Sequence, residues 1–345
     1  MDVKLFDFSL PEELIAQHPA TIRSEARMLS INRGDHSFQD EHFFDIIKYL
    51  KRGDVLVRND TKVIPARLFG IKIPTGAQVE VLLLRETDKD TWECLVGNSK
   101  TIKSGTEIVF KKDVLSAKCT SVGQEGLRHF HFVYRGVFLE VLDQIGLMPL
   151  PPYIKAQCED NSRYQTVYAK ATGSSAAPTA GFHFTTELLD KIEAMGVEIV
   201  DITLHIGLGT FRPIKVADTE DHIMHSEHFE ISEHAAASLN RARADGRRVI
   251  AVGTTSTRTL EAVYRKYGRF VACREATDIF ISPGYEFKAI DALITNFHLP
   301  KSTLIMLVSA FMGREFTLKI YAHAIQQRYR FFSFGDAMFI YGKED

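Results

Sequence analysis

Residues 67–134 hold six short runs in which apolar and polar residues alternate, separated by turn-forming residues such as Pro74, Gly76, Asp90 and Gly105. The runs are Arg67–Ile73, Gln78–Arg85, Thr91–Val96, Glu107–Phe110, Leu115–Ser121 and His129–Tyr134. Successive side chains of a strand point to opposite faces, so the alternation predicts strands with one buried face. Strands at this spacing, joined by short turns, predict a small antiparallel β-barrel.

Outside this segment the pattern changes to helices that alternate with strands. The expected helices are Phe43–Leu50, Thr186–Met195, Glu233–Asp245, Ser302–Phe311 and Phe316–Arg328. The expected strands are Asp54–Asn59, Val197–Ile202, Arg248–Val252, Ala289–Thr295 and Phe334–Ile340. This alternation predicts the α/β class, with a largely parallel, helix-covered sheet that curls into an open barrel-like main domain.

The boundary between the two patterns follows a helix expected at Gly136–Ile145. The run Pro149-Leu150-Pro151-Pro152 comes next, and adjacent prolines stop regular structure. A chain of 345 residues exceeds what one hydrophobic core usually supports. We therefore expect a main α/β domain built from residues 1–62 and 153–345, with the small β-barrel inserted as residues 63–152.

Composition excludes several classes of protein. Lys and Arg number 42 against 44 Asp and Glu, so a nucleic-acid partner must be met by a local basic patch rather than by overall charge. The longest apolar stretch, Leu304–Met312, is far shorter than the roughly 20 residues of a membrane-spanning helix. The first residues show no export signal, and the four cysteines lie far apart. These features predict a reduced, cytoplasmic protein with no membrane association.

The strongest local pattern is the stretch from Val249 to Glu261, where a buried strand runs into Gly253, Thr254, Thr255 and Ser256 and then into a helix. Free amides at a helix N-terminus, together with hydroxyls and Arg258, favour a phosphate or carboxylate site. The alternative is an ordinary N-cap, which needs no ligand. The stretch is not a P-loop, because the Gly-Lys-Ser/Thr ending is absent.

Three other polar stretches follow expected strands or precede expected helices. Asn59-Asp60-Thr61-Lys62 and Arg67 span the expected domain junction, where ligand sites are common, although an Asx-type turn would look the same. Thr179, Gly181 and His183 stand before a helix, and Asn296 and His298 close a strand. Small residues allow a ligand to approach the backbone closely, whereas threonines in such positions also simply cap helices.

Histidines and isolated carboxylates supply candidates for proton transfer. His205 ends a strand, which suits a general base or a structural histidine equally. His222, His225 and His228, with Glu227, are spaced at i, i+3 and i+6, which disfavours a metal site on a helix. Asp278 and Asp336 have apolar and aromatic neighbours in sequence, where a raised pKa would favour proton donation, with surface turns as the alternative.

Taken in order, these segments resemble one family, the S-adenosylmethionine:tRNA ribosyltransferase-isomerases of queuosine biosynthesis. The similar stretches cover essentially the whole chain: Asn59–Arg67, Arg163–Ala169, Ala176–Thr185, Leu204–Pro213, Met224–Glu227, Val252–Glu261, Asp278–Tyr285, Ile294–Pro300 and Tyr329–Met338. The sequence departs from the family pattern at Ser174, Ser175, Phe182 and His228. The family fold, an open α/β barrel-like domain with an inserted small β-barrel, agrees with the two patterns described above.

The resemblance implies a reaction. Members transfer the ribosyl part of S-adenosylmethionine to 7-aminomethyl-7-deazaguanine at the tRNA wobble position and isomerise it, giving epoxyqueuosine, adenine and methionine. S-adenosylmethionine is then a consumed co-substrate, and neither a metal nor a prosthetic group is needed. We expect tRNA and S-adenosylmethionine as partners and a monomeric protein.

The resemblance also implies roles for residues. A base must remove a proton from the carbon beside the sulfonium, for which His205, His225 and Glu227 are candidates. Asp278 or Asp336 would assist the departure of adenine. S-adenosylmethionine would bind at Thr179, Gly181, His183, Gly253, Thr254, Thr255, Ser256, Arg258, Asn296 and His298, with its carboxylate at Gly253–Ser256 and Arg258. The tRNA would touch Asn59, Asp60, Thr61, Lys62 and Arg67.

Without the resemblance, two other functions remain open. The threonine-rich loop would suit a phosphosugar or nucleotide transferase. A non-catalytic RNA-binding protein would use the small barrel for contact, although such modules usually show a basic excess and exposed aromatic residues. Analysis of small-molecule products distinguishes the three.

Overall fold

The computed structural model describes residues 1–124, 126–156, 160–207, 214, 216–224 and 226–343. They form two compact units. The large unit comprises Met1–Thr61, Pro152–Ala171 and Pro178–Asp345, and the barrel unit comprises Lys62–Pro151 and Thr172–Ala177. The inserted domain that we propose from the sequence remains residues 63–152, and the barrel unit additionally contains Lys62 and Thr172–Ala177.

The described residues contain these strands: β1 (Arg27–Asn32), β2 (Ser37–His42), β3 (Val55–Asn59), β4 (Thr61–Val63), β5 (Arg67–Ile73), β6 (Gln78–Asp88), β7 (Thr91–Val96), β8 (Glu107–Lys111), β9 (Leu115–Val122), β10 (Leu127–Tyr134), β11 (Ala171–Ser174), β12 (Glu198–Leu204), β13 (Glu227–Ile231), β14 (Val249–Val252), β15 (Cys273–Thr277), β16 (Ala292–Asn296) and β17 (Ala337–Tyr341). The α-helices are α1 (Phe138–Ile145), α2 (Thr186–Ala194), α3 (Glu233–Ala244), α4 (Gly253–Tyr267), α5 (Thr303–Met312) and α6 (Arg314–Gln326). The helix expected at Phe43–Leu50 is a 3₁₀ helix, Phe43–Lys48.

Six strands of the barrel unit close into an antiparallel barrel in the order β10-β7-β6-β5-β8-β9. All six correspond to the runs expected from alternation, and β5 and β7 have the expected bounds. Along β7, for example, Trp92, Cys94 and Val96 are buried and the residues between them are partly exposed. The predicted small antiparallel barrel is therefore confirmed.

The large unit is built on a nine-stranded sheet with the order β15-β13-β12-β3-β14-β16-β17-β1-β2. The predicted α/β class is confirmed, but the expectation of a largely parallel sheet is wrong. Pairing is parallel for β12 with β3, β3 with β14, β14 with β16 and β17 with β1, and antiparallel for the other neighbours. Strands missed from the sequence account for most antiparallel pairs. For example, β2 is largely exposed, so it lacks a buried face to reveal it.

The parallel strands position the site. In the register of β12, β3, β14 and β16, Ile202 lies opposite Asn59, and Val252 lies opposite both Arg58 and Ile294. Their carboxyl ends therefore meet at one edge of the sheet, where open α/β sheets bind ligands. Helix α2 covers part of the sheet through Leu188 and Ile192. Among the described residues, no helix is both long and apolar enough to cross a bilayer.

Candidate functional site

Most of the predicted site residues of the large unit lie at this carboxyl edge. Asp60 and Thr61 follow β3, His205 follows β12, Gly253 to Ser256 follow β14, and His298 follows β16. A 3₁₀ segment, Thr179–His183, is tied to the end of β16 through Asn296. Residues distant in sequence thus come together because their strands are parallel and in register.

The first group is a chain of neutral hydrogen bonds. The Thr179 hydroxyl donates to Asn296 Oδ1 at 3.1 Å, and Asn296 Nδ2 lies 3.2 Å from His183 Nε2. Burial, assisted by Arg330 and Arg23, lowers the pKa of His183 to about 3, so the ring is neutral at pH 7. The Asn296 amide therefore donates to His183 Nε2, which places the ring proton on Nδ1.

The second group holds His205 in a defined orientation. The Thr61 hydroxyl lies 2.8 Å from His205 Nδ1 and donates to the carbonyl oxygen of Ala171 at 3.4 Å. It therefore accepts from Nδ1–H, which leaves the lone pair of His205 on Nε2. Burial above all, and then nearby His228, lowers the pKa of His205, while Glu230 raises it. A half-buried, neutral imidazole with its lone pair on Nε2 is able to accept a proton.

The third group is a buried ion pair between Glu227 and Arg258. Arg258 Nη1 donates to Glu227 Oε2, and both side chains are only 3% exposed. Arg258 Nε also donates to the Ile279 carbonyl at 3.3 Å, and Glu227 Oε1 accepts from the Gly207 amide at 3.2 Å. The pair ties β13 to α4 and to the chain after β15. Each charge already has its counter-charge, so neither Glu227 as a base nor Arg258 as a carboxylate ligand is favoured.

The row of hydroxyls after β14 lies inside α4 rather than before it. Gly253 has φ +87°, a backbone conformation that favours glycine, and the helix begins there. The Ser256 hydroxyl donates back to the Val252 carbonyl at 2.8 Å. Thr254 is buried, and the buried Thr255 hydroxyl has no hydrogen-bond partner within the described part of the chain. An anion would therefore meet the amides of the first turn rather than a row of hydroxyls.

Gly181 has a structural reason of its own. A Cβ at this position would lie 2.1 Å from the Tyr168 hydroxyl oxygen and 2.8 Å from Thr166 Cγ2. The space that glycine leaves is thus occupied by the protein, not kept for a ligand. Thr166 and Tyr168 were missed as site residues, although both stand in the stretch Arg163–Ala169 that carries part of the family resemblance.

The two candidate proton donors have opposite environments. Asp336 is buried, and its oxygens accept from the amides of Arg27 at 3.1 Å and Arg330 at 2.7 Å. Burial raises the pKa of Asp336, an effect that these hydrogen bonds oppose. Asp278 is exposed, which agrees with the alternative of a surface turn for this residue.

His298 is placed by the protein itself. Its Nε2 lies 2.9 Å from the Thr295 hydroxyl, and its amide donates to the Tyr321 hydroxyl at 2.9 Å. Burial lowers the pKa of His298 to about 3. Its contacts therefore suit a role in fixing the loop after β16.

The residues predicted to touch tRNA divide by exposure. Asn59 is fully buried. Its Nδ2 donates to the Leu204 carbonyl oxygen at 2.9 Å, and its Oδ1 accepts from the Leu204 amide at 3.0 Å. Thr61 is also buried. Asp60 accepts from the Thr203 hydroxyl at 2.7 Å, and burial above all raises the pKa of Asp60. These contacts position β3 and β12 rather than present groups to RNA.

In the barrel unit, Lys62 is exposed, and Arg67 is half-buried beside Glu80, with Nε and Oε1 3.1 Å apart. Lys62 thus presents its side chain at the surface of that unit, whereas Arg67 is paired with Glu80. His225 and residues 208–213 lie outside the described residues. Among the residues that are described, no three His, Cys, Asp or Glu side chains are grouped as metal ligands would be.

Comparison with known proteins adds two findings. Residues 3–340 match the family model described as queuosine biosynthesis protein. The chain is also similar to the crystal structure of the S-adenosylmethionine tRNA ribosyltransferase from Thermotoga maritima, with 37% sequence identity and a TM-score of 0.56. The match covers 97% of this chain and 99% of that one.

Proposed function

The chain belongs to the queuosine biosynthesis protein family, and on that premise we propose that it transfers the ribosyl moiety of S-adenosylmethionine to tRNA. The acceptor is 7-aminomethyl-7-deazaguanine at the wobble position. The ribose is isomerised to an epoxycyclopentane, which gives epoxyqueuosine-tRNA and releases adenine and methionine. S-adenosylmethionine is consumed as a co-substrate, and the reaction requires no prosthetic group or metal.

The observation that carries this proposal is the neutral His205, oriented by Thr61 at the carboxyl edge of the sheet. The positive sulfonium acidifies the carbon next to it, and an imidazole lone pair at Nε2 is suited to remove that proton. His205 therefore becomes the first candidate for the base. Glu227 is already committed to Arg258 and serves instead to hold β13 and α4 together.

The described contacts also divide the residues proposed to bind S-adenosylmethionine into those that position other groups and those that meet the substrate. Asn296, His183 and His298 are buried and bonded to other side chains, so we assign them to positioning. The half-buried Thr179 and the amides from Gly253 to Ser256 are left to meet the substrate. The amides suit the carboxylate of S-adenosylmethionine, because the N-terminus of α4 carries partial positive charge.

Departure of adenine needs a hydrogen-bond donor or acid at the base. Asp336 has both oxygens on backbone amides, whereas Asp278 is exposed and able to meet a ligand. We therefore propose that Asp278 contacts the adenine base and donates to it in the protonated form of its carboxyl group, and that Asp336 fixes the chain before β17. In the barrel unit, Lys62 and Arg67 are the proposed contacts to the tRNA backbone.

The test is chromatography of small products after the protein is mixed with S-adenosylmethionine and tRNA that carries 7-aminomethyl-7-deazaguanine. We expect adenine and methionine, and only with the modified tRNA. S-adenosylhomocysteine would make the protein a methyltransferase and refute the proposal. Binding of tRNA without any product would favour the non-catalytic RNA-binding function, and sugar-phosphate turnover would favour the phosphosugar transferase.

A further inference from the structure

A cavity in the large unit is lined by Arg23, Arg330 and His183. It is a small cavity, and part of it is open to solvent. His183 is the residue that meets Asn296 at the end of β16, so the cavity adjoins the candidate site. Two aromatic rings, Phe182 and Phe334, form another part of its wall, with their centroids 6.0 Å apart and their planes 28° apart.

Arg23, which lines this cavity, and Arg163, which contacts the lining residue Ala20, direct their hydrogen bonds to backbone carbonyls rather than to carboxylates. The Arg23 guanidinium donates to the carbonyl oxygens of Phe182 at 3.2 Å and Ser162 at 3.3 Å. Arg163 donates to the carbonyl oxygens of Ala20 and Thr21. Several other arginines form ion pairs, but among the described residues neither Arg23 nor Arg163 does.

These guanidinium groups are close enough to act on one another and on the histidine. Burial, and then the charge of Arg163, lowers the pKa of Arg23. Arg330 and Arg23 both disfavour protonation of His183. Two carboxylates act in the opposite direction: Asp160 acts on Arg23, and Asp336 lies 3.5 Å from Arg330. The described residues that line the cavity thus include two guanidinium groups, of Arg23 and Arg330, and no carboxylate.

The proposed reaction involves two kinds of anionic group that these arginines could bind, the carboxylate of S-adenosylmethionine and the phosphodiesters of tRNA. Guanidinium groups bind phosphate oxygens through paired N–H donors. The carboxylate of S-adenosylmethionine would bring its ammonium and sulfonium groups towards three arginines, which like-charge repulsion disfavours. A phosphodiester carries no such cation. A chain with a net charge of -2 also needs a local positive site to hold a polyanion.

Building on the proposed function, we infer that Arg23, Arg163 and Arg330 form a subsite for a phosphodiester group of the tRNA. The subsite anchors the RNA strand beside the residues proposed to carry out the reaction. It lies entirely in the large unit and is separate from the contacts proposed for Lys62 and Arg67.

The test compares Arg23→Gln and Arg163→Gln with wild type. Arg330 is left unchanged, because its loss would also remove a partner of buried Asp336. The affinity for tRNA carrying 7-aminomethyl-7-deazaguanine is measured over a series of salt concentrations, and the affinity for S-adenosylmethionine is measured by calorimetry. Loss of one phosphate contact lowers affinity about fivefold at physiological salt and reduces the slope of log K against log salt by about 0.7 to 0.9. We expect that change for each variant, with unchanged affinity for S-adenosylmethionine.

Two controls separate this subsite from general effects. Arg269→Gln removes an exposed positive charge elsewhere in the large unit and is expected to leave the salt slope unchanged. Arg23→Lys keeps the charge and is expected to recover most of the slope, which a purely structural arginine would not show. Weaker binding of S-adenosylmethionine with normal tRNA binding would overturn the inference in favour of a carboxylate site. An equal effect of Arg269→Gln, or no effect of Arg23→Gln and Arg163→Gln, would also overturn it.

The outcome is separable from that of the proposed function. If wild-type protein releases adenine from S-adenosylmethionine but the salt slopes do not change in the variants, the subsite fails and the reaction stands. If wild-type protein binds the tRNA with the expected slopes and releases no adenine, the reaction fails and the RNA subsite stands.

Discussion

Replacing Glu227 by glutamine distinguishes a structural carboxylate from a catalytic base. Glu227 and Arg258 face each other with 3% exposure on both sides, so the substitution leaves the Arg258 charge buried without its counter-charge. Removal of one partner from a buried ion pair costs about 3–5 kcal/mol of unfolding free energy. That is a large share of the roughly 5–15 kcal/mol by which a folded protein is stable. We expect Glu227→Gln to destabilise the large unit strongly.

The double variant Glu227→Gln with Arg258→Met removes both charges. Replacement of a buried pair by neutral side chains of similar size is often close to neutral, so the double variant should be more stable than Glu227→Gln alone. Glu230→Gln is the matched control. It is the same change in the same strand, but Glu230 and its partner Arg274 are 43% and 81% exposed. An exposed pair contributes about 0–1 kcal/mol, so this control should remain near wild type.

The assay is urea unfolding followed by two signals. Trp92 is the single tryptophan and lies in the barrel unit, so its fluorescence reports that unit. Five of the six described α-helices, α2 to α6, lie in the large unit, so far-ultraviolet circular dichroism reports mainly on that unit. If Glu227→Gln unfolds at the wild-type urea concentration but abolishes adenine release, the structural reasoning is refuted and Glu227 returns as the base.

Three further predictions concern histidines and tyrosines. His205→Gln should lower kcat about 10²- to 10⁴-fold with little change in tRNA affinity. Because the pKa of His205 is lowered, the kcat of the wild-type protein should fall only when the pH drops below the ordinary histidine range. His183 and His298 are neutral when folded but take up protons on unfolding below pH of about 6.5. Stability should therefore fall as pH drops from there towards 3, by about 1.4 kcal/mol per pH unit for each histidine, and a His298→Gln variant should show a shallower loss in urea titrations at several pH values. Tyr168→Phe removes a buried hydroxyl that has no partner among the described residues and should be neutral or stabilising, whereas Tyr329→Phe removes a bond to Asp40 of 2.6 Å and should cost about 1.5–3 kcal/mol. Thermal melts of the two tyrosine variants test this contrast, and equal shifts in Tm would contradict it.

The barrel unit could be predicted strand by strand because its information is local. Strands β5, β7 and β10, for example, alternate buried and more exposed side chains, so their period of two can be recognised from neighbouring residues. The α/β class of the large unit was visible for the same reason. Its edge strands were not, since β2 is mostly exposed and β13 and β15 are short and carry charged residues.

The site was predictable as a set of segments but not as a set of roles. Gly253, His205 and Asn296 could be recognised from the sequence as residues at or just after strand ends. The parallel register of the strands then explains why these three residues lie at the same edge of the sheet. Which side chain is free to act depends on partners that are distant in the chain. Glu227 and Arg258 each suggested chemistry alone, yet they are 31 residues apart and neutralise each other in a buried pair.

By itself, the sequence determined the two fold patterns, the family and the list of candidate residues, because periodicity and characteristic stretches are local properties of the chain. Only the tertiary structure decided that Gly181 makes room for Tyr168, that Asp278 is exposed while Asp336 is buried, and that Thr61 orients His205. Burial and charge neutralisation arise from groups brought together by folding, and these two effects set which side chains remain available to a substrate.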